Sequence, residues 1–219
     1  MKLDDIHQVA VRLFARQGYA ATGIRELGRD VGLNSATLYH YAGAKEELLA
    51  AIMRACLEEL SRAASEAMRA PADTRIQLAR LVHAHVGVSA LNPSTCRVTD
   101  QEIRALGAHN RAVIVAIRDD HEALFADVIG RGALTRRFQV ADRRLACLAL
   151  LEMCNGVANW YRPSGRLTVA QVQERYVEFA CRLVGTEPVS RGELGEIPAP
   201  VRLLSEPADF PAPGEENTR

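Results

Sequence analysis

Apolar residues recur along this chain with the spacing of helices rather than strands. Ile6, Val9, Ala10, Leu13 and Phe14 fall at i, i+3, i+4, i+7 and i+8, one stripe that stops at Gly18. Thr22, as N-cap, opens a short helix to about Asp30, which Gly32 ends; Asn34 caps another from Ser35 to Tyr41, which Gly43 breaks. A long helix follows from Lys45 to about Arg69, ahead of Pro71. The pattern then predicts helices over Thr74–Leu91, Thr95–Leu106 and His109–Ile129, the last closed by Gly130 and Gly132. The segment from Val140 to Tyr161 is apolar on most sides. A final helix to Val184 starts with a capping box, Thr168 with Gln171 three residues on, and Leu167 and Val172 form a hydrophobic staple. No segment alternates convincingly with period two, so the expected fold is all-α with about nine helices.

Past Gly185 the pattern changes. Six of the nine prolines and seven acids against three arginines fall there, which predicts a disordered acidic tail over 185–219. The divisions expected are a head over 1–46, a body over 47–184, and this tail. Hydrophobic residues make up 48% of the 219, enough for a sizeable core, and 27 basic residues balance 27 acidic ones, so charge alone does not announce a polyanion binder. Only two basic residues are lysines, Lys2 and Lys45. Five scattered cysteines without a C-x-x-C argue against a disulfide framework or structural zinc and fit a reduced cytoplasm. No apolar run suggests a signal core or a membrane span. His83 and His85, two apart on a helix, point to different sides and make no metal site. G-x-S-x-G, P-loop and H-E-x-x-H motifs are missing, and "GRGALT" follows a helix rather than a strand. No catalytic residue, cofactor or metal is expected.

The stretch "NSATLYHYAGAKEELL", Asn34 to Leu49, is a poor recipe for a core. Two short helices joined at "VGLN" form a helix-turn-helix, which sets the start of its second helix in the major groove of DNA. Ser35, Ala36 and Thr37 are small enough for close backbone approach. Tyr39 and Lys45 can reach phosphates, and His40 a base edge or a phosphate. Leu13–Leu49 as a whole resembles the TetR family of repressors, through Gly18, Thr22, Gly32, Leu33, Thr37, Leu38, Tyr39 and Lys45. The resemblance implies phosphate contacts from Thr22, Tyr39 and Lys45, and a groove face of Arg25, Ser35, Ala36, Thr37, His40 and Tyr41. Two positions depart from the family pattern. Ala42 replaces a core Phe or Val, a gap costing ~3 kcal/mol or more unless neighbours fill it. Ala44 replaces a capping Ser, which forfeits about 1 kcal/mol, partly offset by Glu46 and Glu47 in the first turn.

In the body, the helices ending at Tyr161 and Val184 are too apolar to bury only one face. Two such helices from each of two chains make a four-helix bundle, so a homodimer is expected through Leu148, Val172, Tyr176, Phe179 and Leu183. Glu152, Asn155 and Asn159 form a polar stripe that either lines a pocket or pairs across the dimer. "NWYRPSGRLTVAQVQERY", Asn159 to Tyr176, and Glu102 within "TDQEIRAL" resemble an acyl-CoA-responsive subgroup of the family that controls lipid and sterol catabolism. A pocket ringed by Met153, Val157 and Trp160, with Glu102, Asn155 and Asn159, suits a mostly apolar ligand, and the resemblance favours an acyl-CoA thioester with arginines Arg97, Arg104 and Arg118 for its phosphates. The function expected is a repressor released from a palindromic operator by an apolar ligand such as an acyl-CoA thioester. The alternatives are a regulator sensing an aromatic or drug-like compound, and a helical binding protein with a vestigial helix-turn-helix.

Overall fold

The computed structural model describes residues 3–204. Within them the chain is helical throughout: α1 Leu3–Gln17, α2 Ile24–Val31, α3 Ser35–Ala42, α4 Lys45–Ala67, α5 Thr74–Leu91, α6 Pro93–Gln101, a 3-10 turn Ile103–Ala105, α7 Ala108–Leu134, α8 Arg143–Trp160, α9 Val169–Leu183 and the short α10 Arg191–Leu194. None of these helices is long and apolar enough to cross a membrane.

The α1 stripe is buried as its spacing predicts, with Ile6, Ala10, Leu13 and Phe14 packed against Leu27 of α2 and Leu38 of α3. Gly28 lets the helix-turn-helix close, because a Cβ there would lie 2.6 Å from the Leu33 carbonyl oxygen. Asn34 caps α3 as expected, its Oδ1 accepting from Thr37 N at 2.8 Å. Thr22 does not cap α2. Gly23 holds that position, and the Thr22 hydroxyl donates to the Gly18 carbonyl instead, closing the turn after α1. At α4 the hydroxyl half of the capping box is missing at Ala44, and the other half is kept: Glu47 Oε2 accepts from Ala44 N at 2.8 Å. Ala42 packs against the head core with its small side chain.

That core does not stop at the head. It runs through α4 into α6 and reaches Ile114 of α7, while a second core joins α5, α7, α8 and α9 around Leu81, Val86, Phe125, Leu150 and Cys154. Helix α7 continues to Leu134, through Gly130 and Gly132 where the sequence predicted its end, and position 132 is glycine because the Phe138 ring packs where a Cβ would be. The capping box of Thr168 and Gln171 opens α9 as predicted.

The tail differs most from expectation. Residues 185–204 form a strap bound to α4 and α5 rather than a disordered segment. Leu194 is buried, and Ile197, Leu203 and Leu204 pack against the cores. Arg80 Nε donates to the Leu194 carbonyl (2.8 Å), Val201 N to Glu59 Oε1 (2.6 Å), and Leu203 N to Asn92 Oδ1 (2.7 Å), while Asn92 Nδ2 donates to the Val201 carbonyl (3.0 Å). These partners are buried polar groups of the body that the strap satisfies. The remaining tail, 205–219, lies outside the described residues.

Candidate DNA-binding and ligand-binding sites

Helix α3 presents a polar and aromatic face outward. Tyr39 and Tyr41 are 49% and 57% exposed, Ala36 and His40 are exposed, and Ser35 and Thr37 are half-buried beside them. Leu38 on the opposite side anchors the helix. Arg25 on α2 is also exposed. Two residues expected at phosphates are engaged elsewhere. Thr22 is 1% exposed. Lys45 Nζ donates to the carbonyls of Tyr19 and Thr22, both at 2.7 Å, and lies 3.9 Å above the Tyr19 ring. Desolvation lowers the Lys45 pKa, with nearby Glu102 pulling the other way. In this arrangement Lys45 ties the first turn of α4 to the loop after α1.

Two carboxylates reinforce that joint in opposite directions. Glu102, expected in the pocket, accepts from Tyr19 N at 2.9 Å, so a body residue holds the head. Glu46 Oε1 accepts from Gly107 N and Asn110 Nδ2, both at 2.9 Å, so a residue at the start of α4 caps α7. These bonds hold the Glu46 carboxyl below its usual range. Rotation of α4 would have to break or carry the contacts of Lys45 and Glu46.

A cavity of about 100 Å³ lies among α4, α5, α6, α7 and α8. Leu57, Leu60, Leu148 and Leu151 give it apolar walls, and the Cys56 and Cys96 thiols meet in the wall at 3.5 Å. Its polar part is a chain across three helices: Asn155 Oδ1 to His85 Nε2 at 2.9 Å, and His85 Nδ1 to His121 Nε2 at 3.1 Å. Burial depresses both imidazoles, His85 to about 3 and His121 to about 4, so both are neutral at ordinary pH. Arg118 pairs with Asp100 at 3.2 Å in the same wall, which also holds Glu122 and Glu152. Burial raises the Asp100 pKa, Arg118 opposes this, and Glu152 adds to it.

Of the expected pocket residues, only Arg118 and Asn155 line this cavity. Arg97 is buried in α6 outside its wall, and Arg104 is exposed on the 3-10 turn. Val157 is fully buried in the body core, and Met153 packs against that core. Trp160 is 47% exposed, stacked on Tyr176 with Nε1 donating to its hydroxyl at 3.1 Å, and Asn159 is exposed near it. The polar stripe therefore divides: Glu152 and Asn155 face the cavity and Asn159 does not. His85 and His121 went unrecognised because they lie 36 residues apart. The available signal was a histidine set in each of two largely apolar helices.

Helices α8 and α9 leave an apolar face uncovered, with Leu145, Leu148, Phe179 and Leu183 exposed and Tyr176 half-buried. Val172 is not part of it. It is 1% exposed and packs inward with the body core.

Comparison with known proteins agrees with this architecture. Residues 6–52 match the family described as bacterial regulatory proteins, tetR family, and residues 71–184 match the tetracyclin repressor-like, C-terminal domain. The HTH-type transcriptional repressor KstR2 of Rhodococcus jostii is 27% identical over 177 residues, 80% of this chain and 87% of the relative. The TetR family regulator PfmR of Thermus thermophilus superposes with a TM-score of 0.73 at 32% identity, over 83% of this chain and 97% of its own. The structure of AibR with isovaleryl coenzyme A and operator DNA has a TM-score of 0.70 at 23% identity, over 80% and 95% of the two chains. The two family matches, which together span the head and most of the body, show that the chain belongs to the TetR family of transcriptional regulators.

Proposed function

We propose that the protein is a repressor that binds a two-fold symmetric operator as a homodimer and leaves it when a ligand fills the cavity among α4–α8. The observation that carries this reading is the course of α4. Its first turn bears Lys45 and Glu46, which grip the head and α7, and Cys56, Leu57 and Leu60 on the same helix stand in the cavity wall. The span from Lys45 to Leu57 is about 18 Å at the rise of an α-helix. A ligand that displaces the wall of α4 moves the head, and a coupling of ~1–3 kcal/mol is the usual size of such an effect. On DNA, the exposed Arg25, Ala36, Tyr39, His40 and Tyr41, with Ser35 and Thr37, form the reading face. Thr22 and Lys45 act by holding that face in place. The apolar α8–α9 face suits pairing with a second copy. The free buried cysteines fit a cytoplasmic setting.

An acyl-CoA thioester is the ligand class this reading favours. Asp100, Glu122 and Glu152 disfavour a free carboxylate in the cavity, whereas a thioester carries no charge at that carbon. The isovaleryl coenzyme A complex of AibR lends the same direction. An uncharged aromatic or drug-like ligand is the second reading. It is favoured by the absence of Arg97 and Arg104 from the wall and by the ion pair that already occupies Arg118. A gel shift on the DNA upstream of the protein's own gene, with a panel of CoA thioesters and their free acids, tests both. Release by thioesters alone supports the first. Release by neutral aromatics alone supports the second. Failure to bind DNA removes the repressor reading.

A further inference from the structure

The chain of Asn155, His85 and His121 has a direction. An amide oxygen only accepts, so His85 Nε2, 2.9 Å from Asn155 Oδ1, carries its hydrogen. Both imidazoles are neutral, and each carries one hydrogen. His85 Nδ1 is then a bare acceptor, and His121 Nε2 must supply the hydrogen across the 3.1 Å between the rings. His121 Nδ1 is left as a second bare acceptor. That atom is buried without a hydrogen-bond partner, in a residue 6% exposed that stands in the cavity wall. A buried acceptor in this state is destabilising, and such groups in native proteins call for an explanation. The cavity is the space from which a partner can come. Beside it, Ser89 is 1% exposed and also lines the wall.

The rest of the wall sets the charge and shape of that partner. Three carboxylates face a single arginine already paired with one of them, so an anionic group is disfavoured. Burial alone depresses His121, with no carboxylate acting on it, so a cation at Nδ1 would lack a counter-charge. Leucines line the flanks. The volume of about 100 Å³ is somewhat below the ~150 Å³ of an engineered cavity that holds benzene, which suits the end group of a ligand more than a whole large one.

We propose that the cavity takes the uncharged, hydroxyl-bearing end group of its ligand, an aliphatic or alicyclic alcohol whose O–H donates to His121 Nδ1 while its carbon frame lies against Leu57, Leu60, Leu148 and Leu151. The assignment rests on this cavity being the effector site and specifies what the effector must carry. It also gives His85 and Asn155 a role: they position the proton on His121 Nε2 and so keep Nδ1 an acceptor.

The test is nitrogen-15 NMR of the imidazoles in the full-length protein at neutral pH, with cyclopentanol and its hydrocarbon isostere methylcyclopentane as probes. The expected result is a hydrogen on Nε2 of both histidines. Cyclopentanol should shift the His121 Nδ1 resonance and bind about tenfold more tightly than methylcyclopentane. That preference should vanish in His121→Phe and persist in Leu134→Met, a change at the exposed end of α7 away from the cavity. A hydrogen on His121 Nδ1, as a reversed chain from Asn155 Nδ2 would produce, overturns the proposal. So does equal binding of the two probes, or binding of neither by the unmodified protein. Operator release is scored separately. Cyclopentanol seated at His121 without release of DNA supports the proposal and counts against the effector reading.

Discussion

Asn92 sits at the corner between α5 and α6 and is fully buried. Its side chain makes three hydrogen bonds: Nδ2 to the carbonyls of Val88 (3.2 Å) and Val201 (3.0 Å), and Oδ1 from Leu203 N (2.7 Å). Asn92→Ala removes all three. The Val88 carbonyl keeps its bond from the Asn92 backbone N–H. The Val201 carbonyl belongs to a residue 51% exposed and can turn to water, so its loss is modest. The Leu203 N–H of the strap is partly buried against Asn92 and bears most of the penalty of an unmatched donor. One unmatched donor and one lost ordinary hydrogen bond together predict a destabilisation of about 2–4 kcal/mol. Urea denaturation at fixed protomer concentration measures it, since the stability of an oligomer depends on that concentration. The strap should also become protease-sensitive between Thr186 and Leu204 before the body does. A change below about 0.5 kcal/mol, within the range of ordinary surface substitutions, with unaltered proteolysis would refute the view that Asn92 holds the strap.

Three further outcomes follow from the same geometry. The pKa values of His85 and His121 are depressed in the folded protein, so the unfolded chain binds protons first on acidification. Stability should therefore be full above pH 6.5 and decline toward about 4, by up to ~1.4 kcal/mol per pH unit for each imidazole; His121→Phe should flatten the profile in a pH series of urea melts. Lys45→Met should loosen the head by ~1–3 kcal/mol through the lost bonds to the Tyr19 and Thr22 carbonyls, with Tyr39→Ala weakening DNA binding in a folded head. A fall in the salt slope of DNA binding by a full unit for Lys45→Met would show instead that Nζ reaches a phosphate. Phe179→Arg should convert the dimer to folded monomer in sedimentation, and a dimer that survives it would place the interface elsewhere.

Several helices were legible because their signals are local. The α1 stripe, the Asn34 cap and the Thr168–Gln171 box each need only a few consecutive residues. Thr22 was misread because Ser and Thr serve the end of one helix as readily as the start of the next, and the choice fell to a carbonyl of Gly18. The strap was hidden for a different reason. Its prolines and acids have the composition of a disordered tail, and its order comes from Glu59, Arg80 and Asn92, more than a hundred residues away in the chain. The cavity is non-local in the same sense: five helices supply its wall, so no window of sequence contains it. The apolar character of α8 and α9 pointed to apolar residues on more than one face of each, but periodicity did not tell Val172, turned inward, from Phe179, turned outward.

The central claim is that α3 of a two-fold dimer reads DNA. Selection of duplexes from a random pool by the full-length protein tests it most directly. The account predicts enrichment of a palindrome whose half-sites are centred about one helical turn apart or a multiple of it, ~34–36 Å for a single turn. It also predicts loss of that enrichment when Tyr39, His40 and Tyr41 are replaced by alanine in a dimer that remains folded. No enrichment by the unmodified protein, or a selected site without two-fold symmetry, would contradict it.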